Sequence, residues 1–462
     1  MTSYTFKSGH KGIAAVLCSA VIFSTQVNSQ SLEQAVAHTL DTHPELRIAY
    51  THFKVKEKQV DQAQAGYWPT LDATGGYGYE YTDSPSTRSA GDGDTTKSLD
   101  RSELGLSLQQ NLFTGFHTSS EVKRTSYATS AEQWRLHSSA ENLALQISKV
   151  YVELIKAEQL VELSEKNLAT HQEIYNQIKQ RADAGLSSSA DLSQINGRLA
   201  NAHSNLIAAK NNYLDSKAMF YRVVDQQPDN LVTPVPDASL LPADEEAGIK
   251  AAIANHPVIR SAENDIHSAL AQHDSAKSAY YPKVTLEVEA NYYNDIDGAD
   301  GRSSGVGGEN NEVLAMVRFS YNLYSGGKDQ AYAKETAYKM SEAKELNRDA
   351  HREVRESFIL SWHAFEQLNL QKKYIRMHVE SAKDTQSDYK QQFKIGQRTL
   401  LDLLDTENEL YQARKDYVEA EFDEIIAQYR VLNSMGVLLD ALRVTRPSSW
   451  QGERQFEGGV PQ

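Results

Sequence analysis

The chain has 462 residues, a hydrophobic share of 40% and a formal net charge of −15. So acidic a surface repels phosphate backbones and excludes nucleic acid as a partner. Beyond the N-terminus no run is long and apolar enough for a membrane helix, and the single cysteine leaves no disulfide to hold the fold.

Residues 1–29 read as a signal peptide: Lys7 and Lys11 form the basic start, Ile13 to Phe23 the apolar core, and Val27-Asn28-Ser29 a small-residue cleavage site. Removing it takes the charge from −15 to −17, because both lysines leave and no acid does. Cys18 lies inside the apolar run behind Ala15-Val16-Leu17 and lacks the small residue that precedes a lipoprotein cysteine. The mature chain is therefore expected to carry no thiol and no lipid anchor.

Ser31-Leu32-Glu33 opens a helix with apolar positions Leu32, Val36 and Leu40. A second helix follows Pro44 and is stopped by Tyr67-Trp68-Pro69. The period then falls to two. Leu71, Ala73, Gly75, Tyr77, Tyr79 and Tyr81 alternate with Thr70, Asp72, Thr74, Gly76, Gly78 and Glu80, and after a polar loop from Asp83 to Asp100 so do Leu104, Leu106, Leu108 and Leu112 with their neighbours. Two strands of about ten residues form a hairpin with one apolar and one polar face, long enough to cross a bilayer when tilted. A hairpin half-buried in a soluble sandwich is the other reading of this stretch.

From His117 the pattern is helical. Leu143, Ile147, Val150, Leu154, Ala157, Val161, Ser164, Leu168, His171, Tyr175, Ile178 and Ala182 step by threes and fours in a heptad seam. A helix from His117 to Ala182 would be about 100 Å long. At Gly185-Leu186-Ser187-Ser188 the seam turns: glycine ends the helix in a left-handed conformation, Ser188 caps the next, and Asp191 closes a capping box. Leu192, Ile195, Leu199, Ala202, Leu206, Ala209, Tyr213, Ser216, Phe220 and Val223 carry the seam back.

After a linker at 228–243 the same order recurs. His256-Pro257 repeats His43-Pro44, Tyr280-Tyr281-Pro282 repeats Tyr67-Trp68-Pro69, and alternating strands run from Val284 to Tyr292 and from Val313 to Leu323. A second long seam, from Val354 to Phe393, ends at Gly396, which lies 211 residues after Gly185. The same offset sets Thr399 on Ser188 and Asp402 on Asp191. The chain is thus internally duplicated. Its expected organisation is a signal peptide (1–29), a first repeat (30–227, hairpin about 70–113, tip about 181–192), a linker (228–243), a second repeat (244–440, hairpin about 283–324, tip about 393–403) and a flexible tail (441–462).

The tips Gly-Leu-Ser-Ser-Ser-Ala-Asp and Gly-Gln-Arg-Thr-Leu-Leu-Asp, the Pro-ended helices and the duplicated order make the chain resemble the TolC family of Gram-negative outer-membrane export ducts, over about residues 31 to 440. The resemblance implies a mainly α fold with a β-barrel: a homotrimer in which each chain gives four strands to a shared twelve-stranded barrel in outer-membrane lipid and its long helices to a periplasmic α-barrel. Four strands on their own have two open edges that lipid cannot satisfy, so the residues demand closure for their own reason. The resemblance also implies a periplasmic gate at Asp191, Phe393 and Arg398, a ring of carboxylates at the entrance from Asp402 and Asp405, and adaptor docking on the tip turns at Gly185, Leu186, Ser187, Gly396 and Thr399. At Phe393 the chain departs from the tyrosine of the best-known member and lacks its hydroxyl. Asp191 and Asp402 are also explained as capping acids; Asp405, one turn further on, closes no cap.

No motif points to an enzyme or a cofactor. Gly326-Gly327-Lys328-Asp329 fails as a phosphate loop at its last position, and the histidines show no metal-ligand spacing. Asp295 to Gly301 resembles part of a calcium loop without its closing glutamate and reads as a solvated turn. Tyrosines at the strand ends suit an interfacial girdle better than a sugar-binding surface. The leading expectation is a conduit for type I secretion, served by a periplasmic adaptor and an inner-membrane ABC transporter. The alternatives are a small-molecule efflux duct and, in another class, a coiled-coil adaptor without a pore.

Overall fold

The computed structural model describes residues 30–89, 96–296 and 308–453. The signal peptide, residues 90–95 of the first expected loop, and residues 297–307, which include most of the calcium-like run, lie outside the described residues. The chain runs α1 (Leu32–Thr42), α2 (Pro44–Ala65), β1 (Thr70–Thr82), α3 (Pro85–Ser89), β2 (Lys97–Phe113), α4 (His117–Asp183) and α5 (Ser189–Val224). It then repeats this order as α6 (Glu245–Asn255), α7 (Pro257–Ala276), β3 (Lys283–Asn294), β4 (Glu309–Ser320), α8 (Lys328–Lys394) and α9 (Leu400–Ser434), and ends in α10 (Leu438–Ala441).

The repetition reaches the backbone angles. His43 and His256 are both extended (φ −67° and −65°) before a proline at the first helical position, the conformation that a following proline imposes. At the strand-to-helix junctions Gly115-Phe116 and Gly326-Gly327 are all left-handed. Gly115 is obligatory there, since a Cβ would stand 2.6 Å from the Ser278 carbonyl oxygen. Phe116, a bulky residue at φ 69°, is braced by edge-on contacts with Phe113 and Tyr281.

The four strands make one antiparallel sheet in the order β1-β2-β3-β4, so β2 and β3 join the two halves and β1 and β4 are free edges. Register puts Leu71 opposite Leu108, Leu108 opposite Val288 and Val288 opposite Ala315; Ala73, Leu106, Ala290 and Val313 form the next row. One face is therefore largely apolar and, within the protomer, exposed or half-buried. The other carries Asp72, Glu103, Glu289 and Glu312, with Arg318 paired to Glu287 at 2.6 Å. The strands have 13, 17, 12 and 12 residues, longer than the expected ten. The segment expected as loop from Asp83 is short helix and then, from Lys97, strand: Ser98 and Asp100 pair with Tyr81 and Tyr79 and extend the ladder. β4 in turn stops at Ser320, short of Leu323.

The helical layer has a definite order. Within the protomer α4 packs on both α5 and α9, and α9 on α8, giving the sequence α5-α4-α9-α8. Every seam position named on α4, and every one of the second seam at Val354, Phe358, Phe365, Leu368, Ala382 and Phe393, is buried or half-buried. The largest core surrounds the middle of α4, where Leu136, Leu143, Ile147 and Tyr151 meet Leu32, Val36, Phe220, Phe422 and Tyr429. Tyr151 also fastens the linker to the N-terminus: its one O–H is shared between the carbonyls of Gln30 (2.7 Å) and Val232 (2.8 Å), and its oxygen accepts from the Val232 N–H at 3.0 Å. Burial pushes its pKa up to about 12.

Where it is described, the tail is anchored by specific contacts. From Leu438 to Glu453 it straps across α4 and α2. Glu141 accepts from the N–H groups of Leu438 (2.9 Å) and Leu439 and faces Arg446 at 3.4 Å. Burial outweighs these contacts and raises its pKa to about 7. Gln133 donates to the carbonyl of Trp450, which is 5% exposed, and the Glu453 N–H donates to fully buried Glu57. These anchors lie some 300 residues away in sequence, so no local pattern in the tail announces them. Residues 454–462 lie outside the described residues.

Candidate functional site at the helical tips

Both tips are built alike. In the first, the N–H of Leu186 donates to the Arg181 carbonyl and that of Gly185 to Ala182; in the second, Gln397 donates to Gln392 and Gly396 to Phe393. These paired reverse bonds satisfy the last helical carbonyls and need a left-handed residue, which Gly185 (φ 74°) and Gly396 (φ 80°) supply. A Cβ would meet nothing within 4 Å at either glycine, so backbone conformation alone selects them.

The capping boxes close as expected. Ser188 Oγ accepts from the Asp191 N–H at 3.1 Å, and Asp191 Oδ2 accepts from the Ser188 N–H at 3.0 Å and from the Ser187 hydroxyl at 2.9 Å. Thr399 and Asp402 repeat this, with the Thr399 hydroxyl donating to Oδ2 at 2.8 Å. The Ser188 N–H, followed by the two serine hydroxyls, holds the Asp191 carboxyl below the usual range; the Thr399 hydroxyl and then its N–H do so for Asp402. Between the turns, Leu186 is 79% and Ile395 70% exposed, so the apolar points of the molecule's end lie open.

The remaining expected gate residues are placed differently. Phe393 is buried in a core shared by both hairpins, with Ile174, Ile178, Ile195, Leu400, Leu403 and Leu404, and Arg181 lies over its ring at 5.2 Å. It thus bridges neighbouring coiled coils within one chain, through apolar contact and a cation–π pair. Arg398, in the turn between α8 and α9, folds back on the end of α8, 4.1 Å over the Tyr389 ring and donating to Gln392 at 3.0 Å. Arg398 and Asp191 form no pair within the protomer. Asp405, which closes no cap, is bound by Arg198 of α5 at 2.6 Å. Sequence reasoning missed Arg198 and Arg181. Duplication could not have pointed to Arg198, since the offset of 211 maps Asp405 onto Gln194 and Arg198 onto Glu409.

Among the described residues no group of three or more His, Cys, Asp or Glu side chains is placed to hold a metal, and no helix is long and apolar enough to cross a membrane. What the geometry offers is a pair of capped tips at one end and a sheet with an apolar face and free edges at the other.

Comparison with known proteins identifies this architecture. The family described as outer membrane efflux protein matches residues 35–224 and 248–437. The outer membrane efflux protein BepC of Brucella suis is 26% identical over 424 residues, covering 92% of this chain and 89% of BepC. The alkaline protease secretion protein AprF of Pseudomonas aeruginosa is 22% identical, covering 87% of this chain and 83% of AprF. The CmeC outer membrane channel of Campylobacter jejuni superposes with a TM-score of 0.76 at 14% identity, over 88% of this chain and 86% of CmeC. A pore-less adaptor is thereby set aside, and the chain belongs to the outer membrane efflux protein family, the TolC family, as an outer-membrane channel protein and not an enzyme.

Proposed function

We propose that three copies of this chain form one duct through the outer membrane and periplasm, and that it serves type I secretion, receiving a protein cargo from an inner-membrane ABC transporter through a periplasmic adaptor. The observation that carries the assembly is that the protomer ends in unsatisfied surfaces in both its layers. The sheet ends in the free edges of β1 and β4, and the helical layer ends in α5 and α8. On α5, Ile207 and Leu214 are each more than half exposed, 21 and 28 residues after Leu186. On α8, Met377 and Leu370 are likewise exposed, 20 and 27 residues before Gln397. Two apolar stripes with heptad spacing thus stand at matching heights on opposite flanks, which suits α5 of one copy packing on α8 of the next.

In this assembly the apolar sheet face meets lipid and the tips meet the adaptor, through Gly185, Leu186, Ser187, Gly396 and Thr399. Arg398 and Asp191 of neighbouring copies latch the entrance beside Phe393, and Asp402 and Asp405 line it. Secretion as the task is supported by likeness to AprF. Efflux is the second reading, favoured by the higher identity to BepC. A deletion strain separates them. Secretion predicts loss of one or a few secreted polypeptides with unchanged drug susceptibility; multidrug hypersensitivity with an intact set of secreted proteins would replace it with efflux.

A further inference from the structure

Near the tips one charged contact joins the two hairpins of a single protomer. Arg198 Nη2 on α5 donates to Asp405 Oδ1 on α9 at 2.6 Å. This contact is private to one side of the duplication: at the equivalent positions stand Gln194 and Glu409, and Glu409 faces His378 of its own hairpin at 3.5 Å. Asp402, one turn nearer the tip on the same helix face, is held by the N–H and hydroxyl of Thr399. Those donors are neutral, and Arg398 acts on Asp402 only through space, as the weakest of the influences on it and without an ion pair, so the Asp402 carboxylate is fixed with most of its charge in place. The two acids that share one face therefore differ electrically: one keeps its charge, and the other has a guanidinium against it.

We propose that Arg198 sets the charge of the periplasmic entrance, cancelling Asp405 so that Asp402 supplies the unbalanced negative charge, and thereby limits the preference of the channel for cations. The inference rests on the reading above that brings the α9 tips of three copies to one axis. There the entrance carries three uncompensated carboxylates instead of six. A cation on the axis, a Debye length or so from the wall, responds to the sum of each Arg198–Asp405 pair, so the cancellation persists even while an exposed pair opens and closes.

The test uses the full-length protein reconstituted in planar bilayers, with potassium chloride gradients to read selectivity and lanthanum(III) added from the periplasmic side to read block. Arg198→Gln should tighten lanthanum block about tenfold at ~0.1 M salt and move the reversal potential toward that of potassium. Arg198→Lys should keep wild-type values, and Arg198→Gln combined with Asp405→Asn should return close to them. A conducting Arg198→Gln channel with unchanged block and selectivity overturns the inference, as does an Arg198→Lys channel that behaves like Arg198→Gln. A wild-type channel indifferent to lanthanum, with Asp402→Ala also silent, overturns the entrance reading itself and is thereby told apart from a failure of Arg198 alone.

Discussion

α4 and α8 each have 67 residues and stand at equivalent places in the two halves, yet 24 residues of α4 are buried and 8 of α8. Their partners differ in the same sense: 14 of 35 residues are buried in α9 and 5 of 36 in α5. The inner helices are finished within the protomer, whereas the outer ones are finished on one side only. Duplication supplied two similar hairpins, and their side-by-side packing made one helix of each internal and left the other at a margin. In the assembly proposed above, an exposed Leu or Met on α5 or α8 is a surface for a second copy, while a buried apolar residue on α4 belongs to the folding core.

This contrast can be broken by truncation. Ile147→Ala on α4 and Phe358→Ala, in the one well-buried stretch of α8, should each destabilise the protomer by about 3 kcal/mol or more, measured by denaturant unfolding in detergent. Both side chains are fully buried. A loss below about 1 kcal/mol at Ile147 would remove α4 from the core. Next in size, Leu370→Asp should leave the unfolding midpoint of the monomer within about 0.5 kcal/mol of wild type while abolishing the trimer band in mild detergent; an unaffected trimer would show that α8 is not a contact surface. Smaller again are the tips. Gly396→Ala should cost about 1–2 kcal/mol, because a Cβ in a left-handed position is strained although nothing crowds it, and Thr399→Ala about 1 kcal/mol through the lost cap. Asp191 adds a pH dependence. Its carboxyl is held below the ordinary range, so its share of tip stability is present above about pH 4 and is lost as pH falls through the lowered value. The protection factor of the Ser188 amide, that is its hydrogen exchange relative to the intrinsic rate, should fall between pH 6 and 3, and Asp191→Asn should remove that pH dependence.

What the sequence made legible is what depends on neighbours along the chain. The heptad seams, the left-handed glycines and both capping boxes are local geometry, and the bounds of α4 agree with those expected to within a residue. The strand faces were legible for the same reason, but not the strand lengths, because Lys97 to Asp100 join the ladder through register with Tyr79 to Thr82 and not through their own polarity. Long-range anchors were invisible. Glu141 and Glu57 hold a C-terminal strap, and Arg198 answers Asp405 from another hairpin, in each case through side chains whose meeting is decided by packing angles.

Closure of the ring through α5 and α8 is most directly tested by a disulfide between copies. With Cys18 in the expected signal peptide, a mature chain carrying Leu214→Cys and Leu370→Cys has only the two introduced thiols, and these lie on opposite flanks of one protomer. Oxidation of outer membranes should convert the double variant into covalent dimers and trimers on a denaturing gel, reversed by reductant, while either single variant stays monomeric. Folded double variants that remain monomeric after oxidation, or that close a bond only within one chain, would contradict the assembly.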